Sequence, residues 1–342
     1  MRPTLPAWVG AALAALLPLA AALLASALVL GAFGADPLAY FGAVWRRAVL
    51  SPVGREAVLT RAAPLLLVAA SLIAAFRAGF WNLGGDAQLL LGAVAASATA
   101  PPLLAILPPW LALLAGLVAG ALAGAAWGLV PALLRAYQGI NEVVTTLMMN
   151  FLGLSVANLL VKFVLADPAT TVPQTATVPV NDRLPRLLGT TVTSGLLVGL
   201  AAVLIVQAVM ARTAFGLKLR VVGLSPRAAV HAGLSVPGLT LASFAVSAGL
   251  AGLAGAVDVL GIEGTVRADW NPAFGFPVVP LVFLARLNGV AAIPFVLLYA
   301  VLAIGGEGAA RLTGIPNHFT LVVVALVMLA LAAMDRWRLD AA

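Results

Sequence analysis

Long apolar stretches, separated by short polar segments, follow one another along nearly the whole of this 342-residue chain. About 20 consecutive apolar residues are enough to cross a bilayer as a helix. The pattern therefore predicts an all-α, polytopic helical membrane protein with about ten transmembrane helices. The predicted spans lie at 7–33, 62–80, 87–107, 110–134, 143–165, 191–211, 239–262, 273–286, 289–306 and 317–335.

Two of these spans, 62–80 and 273–286, are expected to be partly broken or re-entrant, because Gly, Pro and Asn crowd their ends. The first apolar stretch, 7–33, exceeds the apolar core of a signal peptide, so we expect it to be retained as a span. A β-barrel is excluded, since its short strands alternate in polarity whereas these apolar runs are continuous. We expect one transmembrane domain covering 1–342.

Composition supports a membrane location. Hydrophobic residues make up 63% of the chain and charged residues only 9%, whereas soluble domains carry about 25% charged residues. The chain has no cysteine, which excludes disulfides and thiolate chemistry. The net charge of +7 comes without an Arg/Lys run with interleaved aromatic residues, so we do not expect nucleic acid as a partner.

The distribution of basic residues predicts an orientation, because cytoplasmic loops of membrane proteins are enriched in Lys and Arg. With Arg2 inside, an even number of spans places both the N-terminus and the C-terminus in the cytoplasm. The same count puts the segment 213–238 inside and the Pro/Thr-rich loop 166–190 outside. The loop 34–61 disagrees, since it carries four arginines yet falls outside.

The segment 213–238 is a basic insertion between two apolar stretches. It holds Lys218, Arg220, Arg227 and His231 and no acidic residue. Its length and its helix-competent sequence indicate a docking surface rather than a simple turn. An ordinary loop of the positive-inside type is the alternative.

Ionisable and amide side chains are costly within a membrane, so each is a candidate for a transport path. The sequence from Gly79 to Ala93 carries Asn82, Asp86 and Gln88 beside a Gly-Gly pair. One interpretation is a broken helix that lines a cavity and binds a hydroxylated or amide-bearing solute. The other is an interfacial turn in which Asp86 caps the N-terminus of the next span.

Two further polar groups lie in predicted spans. Glu142, Thr146 and Asn150 fall on one helix face together with Thr145 and Met149. This face points either to a path or to a partner helix that it contacts by hydrogen bonds. Asp258, near the outer end of its span, is a third candidate, although it can also be explained as an interfacial residue.

Enzymatic chemistry is not expected. The two histidines lie on separate loops without metal-ligand spacing, so no metal site is predicted. There is no G-x-x-x-x-G-K-[ST] motif to bind the phosphates of ATP. No serine sits in a nucleophile-elbow pattern. We expect a chain without cofactor and without catalytic residues.

Four motifs together resemble a known family. They cover Gly79–Ala93, Gly139–Asn150, Thr213–Leu234 and Ser247–Ala256, in order along the chain. The sequence resembles the inner-membrane permease subunits of bacterial ABC importers for ribose-type sugars, nucleosides and branched-chain amino acids. It is most similar to the nucleoside and simple-sugar branch. The departures from the family pattern are Leu83, Asp86, Ala87, Val221 and Ala248.

The resemblance implies a non-catalytic permease of the bacterial cytoplasmic (inner) membrane that forms half of a translocation pore with a second, identical or different permease. A separate ATPase subunit would bind ATP and dock on the segment 213–238, and an extracytoplasmic solute-binding lipoprotein would dock on outer loops that include 166–190. The residues implied in coupling to the ATPase are Gly216, Arg220, Gly223, Arg227, Ala228, Ala229 and Gly233.

Two alternatives remain open at this point. One is an ABC permease for branched-chain amino acids. The other is a secondary transporter driven by an ion gradient, which would require an essential acid within the membrane. Asp86, Glu142 and Asp258 are the candidates for that acid.

Overall fold

A computed structural model of the chain describes residues 23–313, 321–322, 324–326 and 329. The predicted spans 7–33 and 317–335 lie mostly outside these residues. Both termini, with their predicted cytoplasmic location, lie outside them as well.

The described residues are predominantly helical. The helices are α1 (Leu23–Ala32), α2 (Pro37–Trp45), α3 (Pro52–Arg77), α4 (Gly85–Leu104), α5 (Pro109–Gln138), α6 (Glu142–Leu159), α7 (Gly195–Arg212), α8 (Ala214–Leu224), α9 (Pro226–His231), α10 (Val236–Asp258), α11 (Gly275–Leu284) and α12 (Gly289–Thr313). Single π-helical turns extend α2 over Arg46–Leu50, α6 over Leu160–Val164 and α10 over Val259–Glu263.

Seven of the described helices are long and apolar enough to cross a membrane. They are α3, α4, α5, α6, α7, α10 and α12, and the spans of α6 and α10 each include the π-helical turn that follows the helix. Helices α1 and α11 are apolar but shorter, with 10 residues in α11. The all-helical, multi-pass architecture is therefore confirmed, whereas the predicted number of about ten spans is not.

The expected break within 62–80 is wrong, because α3 continues through Pro64 to Arg77. The helix ends at Gly79, which has a φ of +77°, in a Schellman-type cap where the Phe80 N–H donates to the Ala75 carbonyl at 3.0 Å. The non-helical segment lies after it, over 78–84.

The expected outer loop 34–61 is largely helical. Asp36 caps α2 by accepting a hydrogen bond from the Leu38 N–H at 2.9 Å, and Pro37 occupies the first helical position. Only Ser51 separates the π-helical turn from α3. The loop prediction missed this Asp-Pro start signal.

Tertiary contacts divide the chain into two compact units. One comprises Met1–Leu59 and Leu297–Ala342, and the other comprises Thr60–Val296. All candidate site residues belong to the second unit.

The centre of the second unit is a close packing of α4, α5 and α10, which we call the glycine core. At Gly252 of α10, an added Cβ would collide with the carbonyl oxygen of Gly120 and would lie 2.9 Å from the Cα of Gly124. Small residues at such contacts allow helix backbones to approach closely in a membrane. This core holds α4, and with it the first residues of the candidate site, in place.

Candidate functional site

The non-helical segment 78–84 is held by side chains of α6. The Leu83 N–H donates to Thr146 Oγ1 at 3.2 Å, and Asn150 Nδ2 donates to the Leu83 carbonyl at 2.7 Å. Asn150 Oδ1 also accepts from the Ala87 N–H at 3.0 Å. Backbone groups at membrane depth need partners, and these two polar residues supply them.

A chain of polar side chains continues from this segment to α10. Asn82 and Gln88 form a reciprocal amide pair, with N···O distances of 3.0 and 2.9 Å. Asn82 Nδ2 also donates to Ser247 Oγ at 2.9 Å, and Ser247 Oγ lies 3.1 Å from Ser71 Oγ. Each of these four side chains is at most 2% exposed. We refer to Asn82, Gln88, Thr146, Asn150 and Ser247 as the polar cluster.

Asp86 binds a different element from the one predicted. The N-cap of α4 is Gly84, and Asp86 does not cap its own helix. Its Oδ1 instead accepts from the Gly275 N–H, at the start of α11, at 2.6 Å. The capping interpretation of Asp86 is therefore wrong: the helix starts one residue before Asp86, so the carboxylate is placed too late to serve as its cap.

The predicted polar face of α6 is buried. Glu142, Thr146 and Asn150 are 8%, 0% and 5% exposed. The Glu142 carboxylate does not join the polar cluster. It pairs with Arg135 of α5, with Arg135 Nε 3.2 Å from Glu142 Oε2. This ion pair joins the end of α5 to the start of α6.

Asp258 is a second candidate that the structure does not bring to the polar cluster. It lies at the end of α10, three helical turns or roughly 16 Å of rise beyond Ser247. It is 5% exposed, and Arg61 and Glu263 are the charged groups that act on it. Arg61 also lies over the Phe274 ring, 5.5 Å from its centroid.

The segment 213–238 forms a helix pair, α8 and α9, that we call the basic helix pair. Thr213 caps α8 through the Gly216 N–H at 3.2 Å, and Ser225 caps α9 through the Ala228 N–H at 3.2 Å. Gly233, with a φ of +72°, ends the pair.

Its candidate coupling residues divide by exposure. Arg220, Gly223, Arg227, Ala228 and Gly233 are exposed, whereas Gly216 and Ala229 are buried. A Cβ at Gly216 would collide with the Val209 carbonyl oxygen. The two buried residues therefore pack the pair against the rest of the chain, and the exposed ones other than Gly223 form its outer surface.

The basic helix pair contacts the segment 78–84 without an intervening side chain. A Cβ at Gly223 would lie 2.7 Å from the Ala78 carbonyl carbon and oxygen, and one at Gly79 would lie 2.5 Å from the Gly223 Cα. This backbone contact was not anticipated, although both glycines lie in motifs that the sequence analysis singled out. Spacing along the sequence gives no sign that the two motifs touch.

The loop 166–190 packs against the residues that follow α10. The Thr175 N–H donates to the Val266 carbonyl at 2.9 Å, and Gln174 and Arg267 form an isolated β-bridge. At the edge of this region Lys162 Nζ lies 3.1 Å from Asp269 Oδ2. The loop is thus an ordered surface.

The protein has several membrane-spanning helices, a non-helical segment at 78–84 held by buried polar side chains, and a basic helix pair between two spans. Together these features are those of a membrane permease. The comparison with protein families specifies it further. A family described as branched-chain amino acid transport system / permease component matches residues 54–332. The chain belongs to this family.

Characterised relatives match over nearly the full length. The chain is 33% identical to the glucose ABC transporter permease protein TsgB13 of Haloferax volcanii, covering 98% of this chain and 90% of the relative. It is 28% identical to the guanosine ABC transporter permease protein NupP of Bacillus subtilis, covering 93% of each. It is 28% identical to the nucleoside ABC transporter permease protein NupB of Lactococcus lactis, covering 90% and 87%.

The chain is therefore the transmembrane permease subunit of an ABC transporter and a multi-pass protein of the inner membrane. Its relatives are transport components, not catalysts. The resemblance inferred from the four motifs is confirmed.

Proposed function

We propose that this chain forms half of the translocation path of an importer for nucleosides or related simple sugars. The relatives named above are permeases for glucose, guanosine and nucleosides. Permeases for branched-chain amino acids share the family, but none of these relatives carries that name. The observation that carries the proposal is the backbone contact between the basic helix pair and the segment that leads into the polar cluster.

The ATPase subunit docks on the basic helix pair in this proposal. Arg220 and Arg227 are exposed on it, and the segment contains no acid. Exposed Leu217 and Leu224, at 56% and 88%, flank the arginines with apolar surface. An apolar centre ringed by charge suits a reversible protein interface, where complementary charges also fix the orientation of docking.

The backbone contact between Gly79 and Gly223 would transmit docking of the ATPase to the residues inside the membrane. A movement of α8 displaces the backbone of 78–80, which leads directly to Asn82. ATP bound and hydrolysed by the ATPase then shifts the permease between two arrangements. The chain itself holds neither ATP nor another cofactor in this scheme.

The solute path is assigned to the buried polar residues. We place the path at the non-helical segment 78–84, beside the buried residues Asn82, Asp86, Gln88, Thr146 and Asn150. Glu142 and Asp258, whose carboxylates lie outside the polar cluster, remain candidates for the same path. A solute-binding lipoprotein supplies the cargo at the ordered loop 166–190, and a second permease subunit completes the pore.

The docking assignment is tested by Arg220→Glu. Reversing this exposed charge is expected to weaken co-purification of the cognate ATPase subunit by about tenfold or more, since losing one interfacial charge pair commonly costs about 2 kcal/mol or more. Insertion into the membrane should be unchanged.

Arg186→Glu is the matched control, because Arg186 is an exposed arginine on the loop 166–190. It should retain the ATPase. Equal retention by Arg220→Glu and Arg186→Glu would remove the docking role from the basic helix pair. Uptake by the purified permease without any ATPase would instead support a gradient-driven transporter.

The cargo is tested separately with proteoliposomes that contain the permease, its ATPase and the cognate receptor. Uptake of labelled guanosine, glucose and leucine is compared at equal protein. We expect uptake of guanosine or glucose and none of leucine. Leucine as the transported solute would overturn the cargo assignment while leaving the docking assignment intact.

A further inference from the structure

An apolar groove of about 510 Å³ opens on the second unit between α3, α7, α8 and α10. Its walls are formed by α7 from Val198 to Met210, by α10 from Ser243 to Leu253 and, at one end, by Phe215 and Leu219 of α8. We call it the α7–α10 groove. Ser243 is the only polar residue among those that line it.

The length of this groove matches one leaflet of a bilayer. The stretch from Val198 to Met210 rises by roughly 18 Å along α7, and one half of the hydrocarbon core is about 15 Å thick. The groove therefore offers an extended apolar surface that is parallel to a lipid acyl chain.

Ser243 supplies a polar contact near one end. Its hydroxyl is buried, and among the described residues it has no hydrogen-bond partner. A buried hydroxyl without a partner costs free energy, so it favours a ligand that accepts its hydrogen bond. Ser243 lies seven residues into α10, roughly 10 Å along the helix from its first residue.

Positive charge lies at the same end of the groove. Arg212 follows Met210 by two residues at the end of α7, and Lys218 precedes Leu219 on α8. Both are exposed, and neither has a carboxylate within ion-pair distance in the part of the chain that the structure describes. Basic side chains at the membrane surface attract anionic headgroups.

We propose that the α7–α10 groove is a binding site for an anionic phospholipid. One acyl chain lies along α7 between the walls of the groove, an ester carbonyl accepts a hydrogen bond from Ser243, and the phosphate faces Arg212 and Lys218. Because Phe215 and Leu219 belong to α8, the bound lipid also contacts the basic helix pair. This proposal depends on neither the cargo nor the ATPase.

The test uses the full chain in detergent micelles and two probes, dioleoylphosphatidylglycerol and dioleoylphosphatidylcholine. Occupancy is measured by native mass spectrometry during stepwise delipidation, together with the shift in melting temperature. We expect phosphatidylglycerol to be retained preferentially, by about fivefold for each basic residue that it meets. Arg212→Glu and Lys218→Glu should each remove that preference in part and leave phosphatidylcholine binding unchanged.

Filling the groove separates this site from the general lipid belt. Ala201 lines the groove and is exposed, so Ala201→Trp should lower phosphatidylglycerol occupancy at least about tenfold, as expected when a ring replaces the acyl chain. Ala208 is exposed on α7 but does not line the groove, and Ala208→Trp is the matched control.

Three results would overturn the proposal. One is equal retention of the two lipids by the unmodified chain. Another is equal occupancy in Ala201→Trp and Ala208→Trp. The third is a loss of pairing between permease subunits in Ala201→Trp without a change in lipid, which would make the groove a protein interface.

Discussion

Two regions hold α4 in place by opposite means. The glycine core brings the backbones of α4, α5 and α10 into direct contact, with no side chain between Gly252 and Gly120. The polar cluster holds the start of the same helix, and the segment before it, through hydrogen bonds that Asn150, Thr146 and Ser247 accept. A backbone contact has one arrangement, whereas hydrogen-bonding groups can exchange one partner for another. In the function proposed above, the glycine core is a fixed frame, and the polar cluster changes with the transport state.

The largest effect is expected from a substitution that disrupts the glycine core. Gly252→Ala would place its Cβ against the Gly120 carbonyl oxygen, and overpacking of this kind costs about 1–3 kcal/mol or more. We expect a large loss of folded protein, measured as monodisperse permease recovered from membranes. Gly249 lies three residues earlier on α10, and its Cβ would make ordinary contacts at 3.4 and 3.6 Å. Recovery of Gly249→Ala should therefore be normal, and similar recovery of both variants would contradict a fixed frame.

A smaller but more specific effect is expected in the polar cluster. Asn150→Ala leaves the Ala87 N–H and the Leu83 carbonyl without their side-chain partner, at about 1–3 kcal/mol for a buried group. We expect normal expression and a loss of uptake of about tenfold, since 1.4 kcal/mol corresponds to a factor of ten. Uptake is measured in proteoliposomes with the ATPase and receptor present.

The matched control for Asn150 lies on the same helix. Asn158, two turns further along α6, accepts a hydrogen bond from the Asp269 N–H in an exposed region. Asn158→Ala should transport nearly normally. If Asn150→Ala instead lost expression as severely as Gly252→Ala, the polar cluster would be required for folding in the same way as the glycine core.

The smallest effect is expected at the ion pair between α5 and α6. Arg135 is 38% exposed and the Glu142 side chain is 10% exposed, and surface ion pairs contribute about 0–1 kcal/mol. Arg135→Gln should lower the melting temperature in detergent slightly. The more exposed pair of Lys162 and Asp269 provides the comparison, and Lys162→Gln should have no measurable effect. A larger loss in Lys162→Gln would show that exposure does not rank these pairs.

Much of the architecture could be predicted from hydrophobic runs. The seven long helices fall on predicted spans, because a run of about 20 apolar residues has few alternatives in a membrane. The short α11 was anticipated as a broken or re-entrant piece at 273–286. The region 34–61 was predicted as a loop, because the apolar stretch in α2 has only nine residues and is too short to be counted as a span.

The candidate site could be predicted only one segment at a time. The motifs around Asn82 and Asn150 each stood out as polar residues among apolar ones, yet nothing in their spacing showed that Asn150 holds Leu83. Ser247 begins the fourth family motif but was not predicted as a site residue, because a single serine in an apolar helix commonly bonds to its own backbone. The contact between Gly79 and Gly223 joins motifs about 140 residues apart, and only the fold reveals it.

The reciprocal pair of Asn82 and Gln88 has a consequence for leakage. Each amide donates one hydrogen bond to the other and accepts one from it. Asn82 also donates to Ser247 and accepts from the Gly84 N–H, so its amide has no donor or acceptor left for a sugar hydroxyl that arrives at this depth. A solute can bind here only if the two amides separate first. Without a bound solute, no new hydrogen bonds compensate for the ones that are lost. If the solute path proposed above passes through this pair, we expect the permease to be closed here to small polar molecules until the ATPase and the transported solute act together.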